Sequence, residues 1–176
     1  MRHIPVWDIF VRVTHWVVAT MVLAELVVVH PDSLTHRLVG YTVVTLVVLR
    51  LVWGLIGPRH ARFSSFPPSL QAARSHLAGL ARGEEDLHLS HNPLGALMVY
   101  NLWATMIALG VTGYMMTTDA YWGVAWVANL HSALADWVAL CVCLHLIGVF
   151  YDTRRSKVNL VRAMITGKKQ IPGPGE

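Results

Sequence analysis

The stretch that decides the fold is residues 130–151, LHSALADWVALCVCLHLIGVFY. It is almost entirely apolar, and about 20 such residues are enough to cross a bilayer as a helix. Two histidines, His131 and His145, lie fourteen residues apart within it. Fourteen steps of about 100° return to nearly the same helix face, roughly 21 Å further along. One face of this helix therefore presents two imidazoles near opposite sides of the membrane.

The composition indicates that the whole chain is a membrane protein. Of its 176 residues, 55% are hydrophobic and 14% are charged, whereas a soluble domain carries about 25% charged residues. The sequence predicts an all-α, four-helix transmembrane bundle forming one domain over residues 1–176. The expected spans are residues 9–29, 38–56, 94–116 and 130–151, with a cytoplasmic loop at 57–92. Leu70, Leu77 and Leu80 indicate a short amphipathic helix within that loop.

The basic residues predict the orientation. They gather in the N-terminal segment, in the 57–92 loop and in the tail, whereas the other two connections contain only Arg37. Lys and Arg favour the cytoplasmic side of a membrane, so we expect both termini to be cytoplasmic. This distribution accounts for the net charge of +4, and nucleic acid is not an expected partner.

Four histidines fall in the predicted spans or at the start of one, where polar groups are costly and usually functional. His15 lies near the cytoplasmic start of the first span, and His36 lies at the outer start of the second. Since the last span runs inward, His131 is at the outer level and His145 at the inner level. The matching depths predict two pairs, His15 with His145 and His36 with His131. Two opposed imidazoles are suitable axial ligands for a b-type haem, so two haems are expected.

Several residues near these histidines have two possible roles. Gly40 and Gly148 could admit a flat ring, or could simply let helices pack closely. Arg12 and Arg50 are candidate cofactor-binding residues that could pair with haem propionates, or could snorkel to the interface. A single helical histidine is more often a hydrogen-bonded structural residue, so the prediction depends on the matched depths.

Further polar or reactive residues lie in the predicted spans or beside them. The spacing of Cys141, Cys143 and His145 differs from the Cys-x-x-Cys-His motif of covalent haem attachment, so we expect non-covalent haem. Glu25 either lines a proton path or lies at the outer interface. His91 either has a function of its own or serves the entry to the third span.

Several segments together resemble one family. They are VWD at residues 6–8, RVTHW at 12–16, HRLVGY at 36–41, RLVWGLIG at 50–57, ARF at 61–63, HNPLG at 91–95, TG at 112–113 and LVRAMITGK at 160–168, besides His131 and His145. With these segments the chain resembles the bacterial cytochrome b561 family, in the branch that includes the cytochrome b subunit of nickel-iron hydrogenases. The resemblance extends over nearly the whole length.

This resemblance implies two haems b in a bacterial inner (plasma) membrane, with axial ligands at His15, His36, His131 and His145. It also implies electron exchange between quinone and a periplasmic or membrane redox partner. The very short connection between His30 and His36 departs from the hydrogenase subunits. It favours a c-type cytochrome over a hydrogenase as the partner.

The expected function is therefore electron transfer, with no catalytic residue, because imidazoles occupy both axial positions of each haem. One alternative is a superoxide:quinone oxidoreductase, but Arg37 alone would steer the anion at the outer face. Another is a metal or proton transporter that uses the same histidines, although no broken helices or inverted repeats are evident. A homodimer is possible, without a clear Gly-x-x-x-Gly face to support it.

Overall fold

The computed structural model describes residues 2–83 and 90–171. In this part of the chain, four helices are long and apolar enough to cross a membrane. They are α1 (Ile9–Val27), α2 (Leu34–Ile56), α4 (Pro93–Met115) and α5 (Ala125–Ser156). The predicted all-α fold with four spans is confirmed. The last helix is longer at both ends than the predicted 130–151.

The helix starts follow from capping residues. The Asp8 carboxylate accepts from the backbone N–H of Val11 at 3.0 Å and begins α1. The Ser33 hydroxyl accepts from the N–H of His36 at 3.0 Å and begins α2. Asn92 caps α4, with proline as the first helical residue. Each cap satisfies an N–H that the helix itself leaves unpaired.

The four long helices pack as α1 on α2, α2 on α4, and α4 on α5. Val43 and Val47 of α2 meet Met106 of α4 in a buried cluster. Many large apolar side chains point outward instead, among them Leu146 and Ile147, which are 57% and 63% exposed. Outward apolar surface on this scale suits a chain whose solvent is lipid.

Residues 57–83 connect α2 to the segment before α4, and their helix packs on α4. Two 3₁₀ turns, Arg59–Ala61 and Phe63–Ser65, follow α2, and helix α3 (Leu70–Ala81) comes next. A helix was predicted in this loop, and α3 confirms it. The Phe63 ring lies so close to Gly54 that a Cβ there would be 2.3 Å from ring carbons, so the close approach requires glycine.

Two strands and a short helix were not predicted. Strand β1 (Arg2–Pro5) pairs antiparallel with β2 (Lys168–Ile171), and α6 (Leu160–Thr166) precedes β2. The backbone N–H groups of Val6 and Trp7 also donate to the carbonyl of Gly167. This pairing brings the two ends of the described chain together on one side of the bundle.

Candidate functional site

The structure brings the imidazole rings of His15 on α1 and His145 on α5 close together. Their ring centroids are 6.4 Å apart, with the planes tilted by 54°. The Nδ1 atom of His15 is buried, and the described residues offer it no hydrogen-bond partner. This pair lies towards the end of the bundle that carries β1 and β2, because His15 lies less than two helical turns into α1, which begins four residues after β1.

The structure also brings His36 of α2 and His131 of α5 together. Their ring centroids are 6.1 Å apart and the rings are nearly perpendicular, at 82°. His36 is near the start of α2 and His131 near the start of α5. This second pair therefore lies towards the opposite end of the bundle from the first.

Glu25 is the partner of His36. One carboxylate oxygen, Oε2, lies 2.5 Å from Nδ1 of His36, and the other, Oε1, is buried without a partner among the described residues. The sequence predicts a proton path or an interfacial position for Glu25, and it does not predict the contact between Glu25 and His36. The sequence does contain a signal for this contact, because Glu25 and His36 both lie near the connection between α1 and α2, which form a hairpin.

Thr112 of α4 is the partner of His131. Its Oγ1 lies 2.9 Å from Nδ1 of His131, and the same hydroxyl donates to the carbonyl of Ala108 at 2.9 Å. Because the hydroxyl proton is used there, Oγ1 is free to accept a hydrogen bond from Nδ1. This contact favours the tautomer protonated on Nδ1, in which Nε2 has the lone pair that binds a metal.

The two pairs fit axial ligation of a haem. A metal ion held by two opposed imidazoles at about 2 Å per bond separates the ring centroids by about 6 Å, close to both observed spacings. A Cβ added at Gly40 or Gly148 would meet nothing within 4 Å. Each histidine pair thus has open space nearby that a flat macrocycle or lipid would fill.

Arg12 and Arg50 each donate to a backbone carbonyl, one in α6 and the other in a 3₁₀ turn. Arg12 Nη2 donates to the carbonyl of Ile165, and Arg50 Nη2 donates to that of Ala61 at 3.0 Å. Each guanidinium also keeps one buried nitrogen, Arg12 Nε or Arg50 Nη1, without a hydrogen-bond partner in the described ranges. These donors leave propionate binding open as a role for both residues.

Lys169 is buried and His91 is half-buried beside the entry to α4. The His91 ring packs against Trp7 and Phe66, with centroid distances of 4.9 and 4.8 Å, and burial lowers its pKa to about 3. Lys169 is 6% exposed and donates to the carbonyl of Ser90 at 3.0 Å. Burial lowers the pKa of Lys169 to about 8. Lys169 thereby joins β2 to the segment that precedes α4.

A groove of about 460 Å³ runs along the outward face of α1. Its lining is almost wholly apolar and consists of Ile9, Arg12, Val13, Trp16, Val17 and Ile165. The Trp16 ring lies edge-on to His15, with a centroid distance of 5.3 Å. The groove is therefore one side chain away from the His15–His145 pair.

The structure indicates no functional role for the two cysteines. Cys141 is buried, Cys143 is exposed, and both thiols are free.

The comparisons with known proteins identify the family. No curated protein and no solved structure matches the chain. The family described as prokaryotic cytochrome b561 matches it over residues 6–167, a range that includes all four paired histidines. Membership implies haem b and a membrane electron-transfer role, which the four apolar helices and the facing imidazoles accommodate. The chain belongs to the prokaryotic cytochrome b561 family.

Proposed function

We propose that the protein carries two haems b and passes electrons between the quinone pool and a redox partner, such as a periplasmic c-type cytochrome. The observation that carries this proposal is the pairing of four histidines at two levels of the bundle, with ring centroids 6.4 and 6.1 Å apart. A single pair would serve a single haem. Two pairs supply one site towards each membrane face.

The four histidines would hold the two haems, His15 with His145 and His36 with His131. Bound haem b supplies a one-electron carrier whose potential depends on its axial ligands and their hydrogen bonds. The chain places the two sites at different depths and surrounds them with apolar side chains. Arg12 and Arg50 lie at the His15–His145 end, and their unpartnered N–H groups would bind propionates there.

We propose that the end with the paired termini faces the cytoplasm of a bacterial cell, with the bundle in the inner membrane. The N-terminal segment, the 57–92 loop and the tail hold nearly all of the basic residues. The positive-inside rule assigns such segments to the cytoplasmic side. The His36–His131 pair then lies near the outer face, within reach of a periplasmic partner.

The groove along α1 is the proposed quinone site. A quinone has an apolar tail, and the groove offers exposed apolar side chains that suit such a tail. Trp16, between the groove and His15, shortens the path to the nearer histidine pair. Access from the lipid is direct because Ile9 and Val13 are 66% and 52% exposed.

Transmembrane electron transfer tests the proposed function. Haem-loaded protein is placed in liposomes that contain ferricyanide, and dithionite is added outside. We expect the protein to speed ferricyanide bleaching well above the protein-free rate, and His15→Ala and His131→Ala each to abolish the gain. His30→Ala, on the α1–α2 connection, is the matched control and should behave as wild type. Undiminished bleaching in either pair variant would overturn the proposal.

The quinone site has its own test. Val13→Trp fills the groove, whereas Val111→Trp adds the same bulk to an exposed position of α4. We expect Val13→Trp to weaken quinol-driven haem reduction about tenfold, equivalent to about 1.4 kcal/mol of binding. Dithionite should still reduce both variants fully. Equal quinol-driven reduction in the two variants would place the quinone elsewhere.

A further inference from the structure

The partners of the two histidine pairs are not equivalent. His36 contacts a carboxylate, at 2.5 Å from Glu25, whereas His131 contacts a neutral hydroxyl, at 2.9 Å from Thr112. In the other pair, Nδ1 of His15 is buried with no partner in the described part of the chain. Among the described residues, only the His36–His131 pair therefore has a carboxylate in contact with one of its rings.

We propose that Glu25 is a positioning residue for the haem at the His36–His131 pair, and that it makes this haem the lower-potential one of the two. This inference rests on the proposed function, since it requires two haems. Glu25 contacts the His36 ring and would not contact the haem itself, so it acts on the haem only through its histidine ligand.

The carboxylate fixes the histidine tautomer. An ionised carboxylate only accepts hydrogen bonds, so its contact with Nδ1 requires the proton to be on Nδ1 of His36. Nε2 then has the lone pair that an iron ion needs. The ring is also held in one orientation, because Glu25 comes from α1 and His36 from α2, and these two helices pack together.

The same carboxylate changes the electronic character of the ligand. A carboxylate that accepts the far N–H of a metal-bound histidine raises the basicity of that ligand. A more basic ligand and a nearby negative charge stabilise ferric over ferrous iron, which lowers the reduction potential. Glu25 is half-buried, and contacts of this kind are weakly screened away from water.

The opposite end of the bundle has the opposite charge bias. Arg12 lies one helical turn before His15, and Arg50 is buried and held by the Ala61 carbonyl. Positive charge near a haem favours the ferrous state. Electron transfer is therefore downhill from the His36–His131 pair towards the His15–His145 pair and the proposed quinone groove.

Redox potentiometry of the haem-loaded protein tests the inference. Glu25→Gln keeps the size of the side chain and removes its charge. We expect the lower midpoint to rise by at least the equivalent of a tenfold change in ferric over ferrous preference, about 59 mV for a one-electron couple. The higher midpoint should move much less. Asp119→Asn is the matched control, because it removes the same charge from an exposed site on the α4–α5 connection.

A second measurement does not depend on the folding of Glu25→Gln. His36→Ala should remove one haem, and the haem that remains should have the higher of the two wild-type midpoints. A remaining haem with the lower midpoint would overturn the inference. So would a Glu25→Gln shift no larger than that of Asp119→Asn. Haem quantitation on the same samples separates the two proposals, because fewer than two haems in wild type contradicts the proposed function itself.

Discussion

Nδ1 of His131 on α5 lies 2.9 Å from Oγ1 of Thr112 on α4, and this contact joins the two helices at the level of the His36–His131 pair. The Thr112 hydroxyl is oriented by the carbonyl of Ala108. An acceptor at this position favours the tautomer with the proton on Nδ1 and the lone pair on Nε2. In the proposed function, the hydroxyl would thereby prepare His131 for haem ligation without contacting the haem.

Replacing Thr112 tests this preparation. Thr112→Val keeps the shape of the side chain but removes the hydroxyl that lies 2.9 Å from Nδ1 of His131. We expect haemin to bind the corresponding site of the apoprotein about 10- to 100-fold more weakly, the usual cost of losing a hydrogen bond to a ligand. Thr112→Ser restores the hydroxyl and should restore most of the affinity. Equal haemin affinity in the Val and Ser variants would show that the contact plays no part in binding.

A second prediction concerns the contact between α2 and α4. A Cβ at Gly110 would lie 2.3 Å from a methyl carbon of Val44, and Val44 is short and branched, with little freedom to move away. We expect Gly110→Ala to lower the free energy of unfolding by about 1–3 kcal/mol, as overpacking usually does. Thermal unfolding in detergent measures this loss.

Val44→Ala provides the control for that prediction. It removes the methyl group that the new Cβ would meet, so the double variant should be more stable than the sum of the single effects implies. Strictly additive effects would mean that α2 and α4 can separate at Gly110 without cost.

A third prediction follows from buried Lys169. Burial lowers its pKa from 10.5 to about 8, so between these pH values the unfolded chain binds more protons than the folded one. The free energy of unfolding should therefore rise with pH across this window. The full gain is about 3 kcal/mol at about 1.4 kcal/mol per unit, and it is absent below pH 8.

Variants of two adjacent lysines isolate this effect. Lys169→Gln should flatten the rise between pH 8 and 10.5 in thermal unfolding curves, whereas Lys168→Gln, at an exposed neighbouring position, should leave it unchanged. Parallel pH profiles for wild type and Lys169→Gln would show that the lysine is solvated in solution.

The spans could be predicted from sequence because lipid imposes length and apolarity on each helix separately. The pairing of the histidine levels could also be predicted, since helical rise fixes the separation of His131 from His145. The strands β1 and β2 could not, because they are four residues each, contain charged residues, and pair across almost the whole chain. Such pairing leaves no local periodicity.

The partners of the His36 and His131 rings could not be predicted from the sequence, for a different reason. Glu25 and Thr112 are ordinary in their own helices, and only the rotation of one helix against the next brings them to His36 and His131. Depth can be read from sequence, but helix rotation depends on packing between helices. Glu25 was nevertheless conspicuous as a carboxylate in a span, which marks a residue with a function.

The most direct test of the central claim is pyridine haemochrome quantitation of the detergent-purified protein, with His36→Ala and His131→Ala measured beside it. The account predicts two haems b per chain in wild type and one in each variant. A folded, haem-supplied protein that contains no haem, or a variant that keeps both haems, would contradict it.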